Sequence, residues 1–201
     1  MGAEIVAESL FPFQLDDVSQ IHGFRTRNGW YLQQMLKIYA GEAIPSLQPT
    51  YLVVDADIVF LKPLVVVDEE NRLLFTVGTE YHQPYFKHMK RMHPSLEKQT
   101  KYSGIAHHMV MKRAYVDEMK QLVCNYQGSS KPFWKIFLEK VAKEDLDFSG
   151  ASEYEMFFNF MLKYHPNEVV CRDLAWLDRV PLTNEEYSKY VFYSNHWYQR
   201  I

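Results

Sequence analysis

Two carboxylates two residues apart, Asp55 and Asp57, stand directly behind an apolar run in Tyr51-Leu-Val-Val-Asp-Ala-Asp-Ile-Val-Phe-Leu61. Leu52, Val53 and Val54 do not alternate with polar residues, which is how a strand buried on both faces of a parallel sheet reads. In open α/β sheets, ligands bind just beyond the carboxyl ends of the strands. Two carboxylates at that edge can face one divalent cation. Hard oxygen ligands favour Mg²⁺ or Mn²⁺, and substrate phosphates commonly complete the shell of such sites. The chemistry this predicts is metal-assisted and acts on a phosphorylated or nucleotide-linked substrate. Asp-x-Asp is also a common turn pattern; the buried strand predicted before it separates the two cases.

Other residues can share that chemistry. Trp30, Gln33, Gln34 and Lys37 follow helical i, i+3, i+4, i+7 spacing. Such a face can be merely solvated, or two amides beside a cation can bind hydroxyls and phosphates. His107 and His108 lie in an apolar run; on a strand they point to opposite faces, so at most one reaches a site. Ser152-Glu153-Tyr154-Glu155 fits a helix start, with Ser152 as N-cap and Glu155 completing a capping box. Glu153 is not needed for that cap and can act as a general base toward an acceptor hydroxyl, with Asp173 and Asp178 as the next candidates. Lys87, Lys90, Arg91, Lys98 and Lys101 form a basic stretch, either a solvated face or a loop that closes over a diphosphate.

These groups must be positioned by a mixed α/β chain. Helices are predicted at 29–40, ending at Gly41, and at 114–126, 132–143, 153–164 and 184–190. Strands are predicted at 51–54, 64–67, 73–77, 105–111 and 168–171, with an acidic turn at Asp68-Glu-Glu-Asn. Residues 1–28 read as irregular, and 79–101 as a polar loop or short helix. At 201 residues, 47% apolar and 23% charged, the whole chain 1–201 reads as a single domain able to bury a large core. A net charge of −3 gives no general basic field, so nucleic acid is not an expected partner. No run of 18 apolar residues and no signal peptide stand out. Cys124 and Cys171 suit reduced thiols in a cytoplasmic protein. Fourteen Tyr and four Trp exceed what a core needs and suit a sugar pocket.

Several blocks together resemble a nucleotide-sugar-dependent glycosyltransferase of the GT-A fold. They are Gly29-Trp30-Tyr-Leu-Gln33-Gln34-Met-Leu-Lys37, Leu-Val-Val-Asp55-Ala-Asp57-Ile-Val-Phe, Ser103-Gly-Ile-Ala-His107-His108-Met and Ser152-Glu153-Tyr-Glu155-Met-Phe. Their order is similar to small bacterial and viral glycosyltransferases, including those that glycosylate a viral capsid protein. The resemblance implies a Rossmann-like, mainly parallel sheet flanked by helices. It implies Mn²⁺ or Mg²⁺, a nucleoside-diphosphate sugar as donor, and a glycan or protein-linked acceptor. It implies Asp57 as the direct metal ligand, with Asp55 binding through water or holding the ribose, and His196 as a further metal or diphosphate ligand. Trp30, Gln33, Gln34 and Lys37 would hold the donor. Ser103, Gly104 and one of His107 and His108 would line the donor-sugar or acceptor pocket. In GT-A enzymes the Asp-x-Asp usually arrives about a hundred residues in; here it arrives at residue 55, so an N-terminally truncated domain lacking the first nucleotide-binding strands is expected.

Two alternatives stay open. Asp55-Ala-Asp57-Ile-Val59 also resembles the opening motif of haloacid-dehalogenase-type Mg²⁺ phosphatases, with Asp55 as nucleophile and Asp57 as general acid. That family also needs a close acidic pair after a later strand, and Val169-Val-Cys-Arg-Asp173 offers only one acid. The other alternative is a non-catalytic carbohydrate-binding protein derived from a transferase.

Overall fold

The structure is a computed structural model that describes residues 3–128, 130–179 and 181–196. Its centre is a helix. The segment Glu153–Tyr164 (α6) is buried at every position from Glu153 to Met161, including Phe157, Phe158 and Phe160. A helix that is apolar all round belongs in an interior. Each fully buried Phe contributes roughly 1.5–3 kcal/mol of burial free energy. Helices Asn28–Ala43 (α2), Gln83–Met92 (α3) and Arg113–Gln127 (α4) pack around it. The helix Leu15–His22 (α1) lies on α2, and Phe133–Glu139 (α5) lies on α1 and α4.

Among the described residues the strands form three small sheets where one mainly parallel sheet was expected. Thr50–Val54 (β1) pairs antiparallel with His108–Lys112 (β4). Leu73–Thr76 (β3) runs parallel to Val169–Arg172 (β5). Ile58–Phe60 (β2) pairs antiparallel with Phe192–Ser194 (β7), which runs parallel to Trp176–Leu177 (β6). β3 lies beside β4 and packs Phe75 onto Phe157 and Phe158, with ring centroids 6.2 and 5.7 Å apart. A helix, Asn184–Lys189 (α7), precedes β7.

β1 is therefore not a doubly buried central strand. Of its residues only Tyr51 is buried, and Val54 is 36% exposed. Its apolar run covers one flank of the core and continues into β2, whose Val59 and Phe60 are also partly exposed. The run 64–67 makes no strand; it joins β3 by an isolated Val67–Leu73 bridge across the predicted acidic turn. Asp68 holds that turn by accepting from the backbone N–H groups of Glu70 and Arg72, and Asn71 takes the left-handed conformation at φ 62°.

Two helices differ from the sequence expectation for local reasons. α1 lies in the stretch read as irregular: Gln14 and Asp17 make a reciprocal cap, and Gly23 ends it at φ 77°. α3 lies in the stretch read as loop. Its buried stripe of Tyr85, Phe86, Met89 and Met92 is masked in sequence by Lys87, Lys90 and Arg91 between those positions. Gly41 sits inside α2 and not after it; a Cβ there would come within 3.0 Å of the Tyr51 ring.

Candidate functional site

Asp55 and Asp57 leave β1 in a tight turn, with Ile58 N–H donating to the Asp55 carbonyl at 3.2 Å. The turn sits at one wall of a cleft of about 580 Å³. α2 supplies Trp30 and Lys37 to this cleft, the N-terminus of α6 supplies Glu153 and Tyr154, and the loops around β6 and β7 supply Trp176, Asp178 and His196.

Lys37 is the electrostatic hub. Its ammonium donates to Asp55 Oδ1, and to Glu153 Oε1 at 2.7 Å. It also lies over the Tyr154 ring, 4.3 Å from the centroid. Burial disfavours the Lys37 charge, but Glu153 and Asp55 outweigh it and hold the pKa above its ordinary value. Asp55 is shifted the opposite way. Burial would raise its pKa, but the hydrogen bond from His107 and the Lys37 charge bring it below the usual carboxylate range. Tyr154 OH donates to Asp55 Oδ1 at 3.0 Å, and its own pKa is pushed up, by burial first and then by the Asp55 and Glu153 charges. Asp55 thus has both oxygens engaged: Oδ1 by Lys37 and Tyr154, Oδ2 by His107 Nδ1 at 3.3 Å.

Asp57 turns to the other side of the hairpin. Its Oδ2 lies 2.5 Å from His196 Nδ1, and its carbonyl accepts from Asn195 N–H at 2.8 Å. His196 Nε2 lies 2.7 Å from Asp178 Oδ1. The rings of His107 and His196 are 5.0 Å apart, and His107 packs edge-on against Trp176 at 5.4 Å. His107 carries φ +58° and so precedes β4 and does not lie in it, correcting a strand that was expected to begin at residue 105. Burial would lower the His107 pKa, but the Asp55 carboxylate raises it above the ordinary imidazole value.

His108 faces the core, among Phe60 and Phe192. Its Nδ1–H donates to the Ala106 carbonyl at 2.9 Å, so its Nε2 accepts from the Thr76 hydroxyl at 3.0 Å. Burial pushes its pKa down to about 4. Gln33 is exposed and outside the cleft, while Gln34 is buried below it and accepts from Glu153 N–H at 3.1 Å, fixing the start of α6. Ser103 and Gly104 lie behind the cleft. A Cβ on Gly104 would stand 2.4 Å from the Phe158 Cβ, so this glycine admits α6. Glu155 is not reciprocal in its cap: Ser152 Oγ accepts from its N–H at 3.2 Å, but its carboxylate accepts from Ser103 Oγ at 2.5 Å and Asn159 Nδ2 at 2.9 Å. Its pKa is raised by burial. Asp173 is exposed and outside the cleft.

The structure thus brings together Trp30, Lys37, Asp55, Asp57, His107, Glu153, Asp178 and His196, and adds Arg27, Tyr85, Tyr154 and Trp176. Asp178 reaches the site because β6 pairs with β7, a register no local spacing signals. Tyr154 was readable only as the neighbour of Glu153. A metal has suitable donors here: one oxygen or nitrogen from each of His107, Asp178 and His196 lies within 4.8 Å of the others. Two imidazoles suit Mn²⁺ and other transition metals better than Mg²⁺, which prefers oxygen.

A family described as "Family of unknown function (DUF6492)" matches residues 3–196, and the chain belongs to it. No curated protein matches the chain. Among solved structures, the apo form of mouse xyloside xylosyltransferase 1 is similar over 96% of this chain and 73% of its own, with 13% identity and a TM-score of 0.40. A likeness at that level assigns neither a residue nor an activity. Among the described residues, no helix is long and apolar enough to cross a membrane.

Proposed function

We propose that the cleft is the active site of a metal-dependent glycosyltransferase that moves a sugar from a nucleoside-diphosphate sugar to a glycan or protein-linked acceptor. The observation that carries this reading is the convergence of Asp55, Lys37, Glu153 and the His107–Asp178–His196 group on one cleft, with Asp57 reaching it through His196. A divalent cation at the histidine end would offset charge building on the departing diphosphate, the Lewis-acid role of metals in such sites. Arg27, whose guanidinium lies 4.4 Å over the Trp30 ring, adds positive charge to the cleft lining. Trp30 and Trp176, both half-buried in the cleft lining, offer aromatic surface suited to a sugar or a base. Glu153, ion-paired to Lys37 at 2.7 Å, is the candidate general base toward the acceptor hydroxyl. A cytoplasmic setting belongs to the same proposal; both cysteines are free thiols.

The phosphatase reading is weaker, because a nucleophilic Asp55 would have to leave Lys37, Tyr154 and His107 at once. The test is a panel of nucleoside-diphosphate sugars with Mn²⁺, followed by calorimetry for binding and by nucleotide release for hydrolysis. Binding of one nucleotide family that requires Mn²⁺, with slow hydrolysis, is the expected result. Failure of every donor to bind in the presence of Mn²⁺ sinks the reading, and glycan binding without nucleotide would replace it with the carbohydrate-binding alternative.

A further inference from the structure

We infer that the metal is held directly by His107, Asp178 and His196, and that the two carboxylates of Asp55-Ala-Asp57 act behind them as positioning residues. This deepens the metal part of the proposed function and rests on it only in taking the cleft as a metal site.

The first support is the pairing of each aspartate with one imidazole. Asp57 Oδ2 meets His196 Nδ1 at 2.5 Å, and Asp55 Oδ2 meets His107 Nδ1 at 3.3 Å. A metal-bound histidine typically donates its second ring N–H to a carboxylate, which fixes the tautomer and the ring orientation. With both Nδ1 atoms engaged in this way, each Nε2 is the ligating nitrogen. The His196 Nε2 is already beside Asp178 Oδ1 at 2.7 Å.

The second support is distance. Donors bound to one metal at ordinary bond lengths stand roughly 3–3.5 Å apart. Here one donor atom from each residue lies within 4.8 Å of the others, so small side-chain rotations that part His196 Nε2 from Asp178 Oδ1, now 2.7 Å apart, would make room for the ion. The Asp178 side chain is about half exposed, which leaves the open side of the set to the cleft for a substrate oxygen.

The third support is the backbone. His107 is one of two non-glycine residues with positive φ among the described residues. An unfavourable backbone persists where the surroundings over-determine it, and such positions cluster at functional sites. The Asp55 N–H donates to the His107 carbonyl at 2.8 Å, so the aspartate turn holds this histidine by main chain and side chain together. Asp55 is meanwhile committed to Lys37 and Tyr154 through its other oxygen.

The ligand type selects the ion. Two imidazoles and one carboxylate favour Mn²⁺, Fe²⁺, Co²⁺ or Zn²⁺ over Mg²⁺.

The experiment uses the full chain, stripped with chelator, and Co²⁺ alone as probe, read by its visible absorption bands without any nucleotide. His196→Gln and Asp178→Asn should each weaken Co²⁺ binding by about 100-fold or more and change the bands. His107→Asn, which tolerates the left-handed backbone, should do the same. Asp57→Asn, whose amide oxygen still accepts from Nδ1–H, should lose only about tenfold and keep the bands. Melting curves for each variant separate lost ligands from lost folding. Loss of binding in Asp57→Asn with wild-type binding in Asp178→Asn overturns the assignment and makes the Asp-x-Asp carboxylates the ligands. Absence of Co²⁺ binding in the wild type also overturns it. Because no sugar donor is used, a failed transferase reading leaves this outcome readable.

Discussion

Lys37→Met is expected to cost about 3–5 kcal/mol of stability, the scale for removing one partner of a buried ion pair. The ammonium is the cation between Asp55 and Glu153, and both carboxylates are largely withdrawn from water. Without it, two buried negative charges face each other and Tyr154 alone remains on Asp55 Oδ1. Urea unfolding at pH 7 measures the loss. Two further observations tie it to this cause. Lys37→Met/Glu153→Gln should recover part of the stability, since one of the two charges is gone. Lowering the pH toward 5 should also narrow the gap between wild type and Lys37→Met, because the unpaired carboxylates can then take up protons. A single variant as stable as wild type would mean that the ammonium does not hold this junction together.

The second large effect is a loss of stability in mild acid from histidines buried as neutral rings. Burial lowers the pKa of His108 to about 4 and that of His88 to about 3, against an ordinary 6.5. A group depressed in the folded state stabilises it above the unfolded pKa. That stability drains as pH falls from about 6.5 through the folded value, because only the unfolded chain takes up the proton. For His108 alone this amounts to about 3 kcal/mol by pH 4. His107 has the opposite sign: its pKa is raised, so its contribution is present in acid and fades as pH rises. Denaturation midpoints between pH 7 and pH 4 should fall steeply in the wild type, and less steeply in His108→Gln. Parallel curves for the two proteins would show that His108 takes up its proton in the native state after all.

The residues legible in the sequence were those whose neighbours in the chain explain them. α6 begins at Glu153 and ends at Tyr164 as its cap and apolar content require, and the Asp-x-Asp turn follows the strand that its apolar run forms. The sheet was not legible in the same way. An uninterrupted apolar run fits a doubly buried parallel strand, and equally an antiparallel strand lying on a helix-built core, which is what β1 is. Strand alternation also misplaced His107, because its backbone turns before β4 starts. Asp178 was a candidate acid in the sequence, but nothing local marked it as a partner of His196: the two lie 18 residues apart, and only the β6–β7 pairing joins them. Trp197 and Tyr198 fall outside the described residues.

β7 has three residues, and two residues beyond it His196 closes the far side of the site. The strand is held between β2 and β6, which are three and two residues long, and the outward side of β2 is partly exposed. The free energy of opening such a small unit lies well below that of unfolding the α6 core. One wall of the site therefore belongs to a cooperative unit distinct from the one that carries Lys37 and Glu153. Fraying of β7 would carry His196 away from Asp57 and Asp178 while the helices stayed folded, and a bound ion would add its binding energy to this weaker unit. Amide exchange at Phe192–Ser194 should then be faster than at Phe157–Phe160 and slow selectively when Mn²⁺ is added. Equal protection of the two segments would make the site one unit with the core.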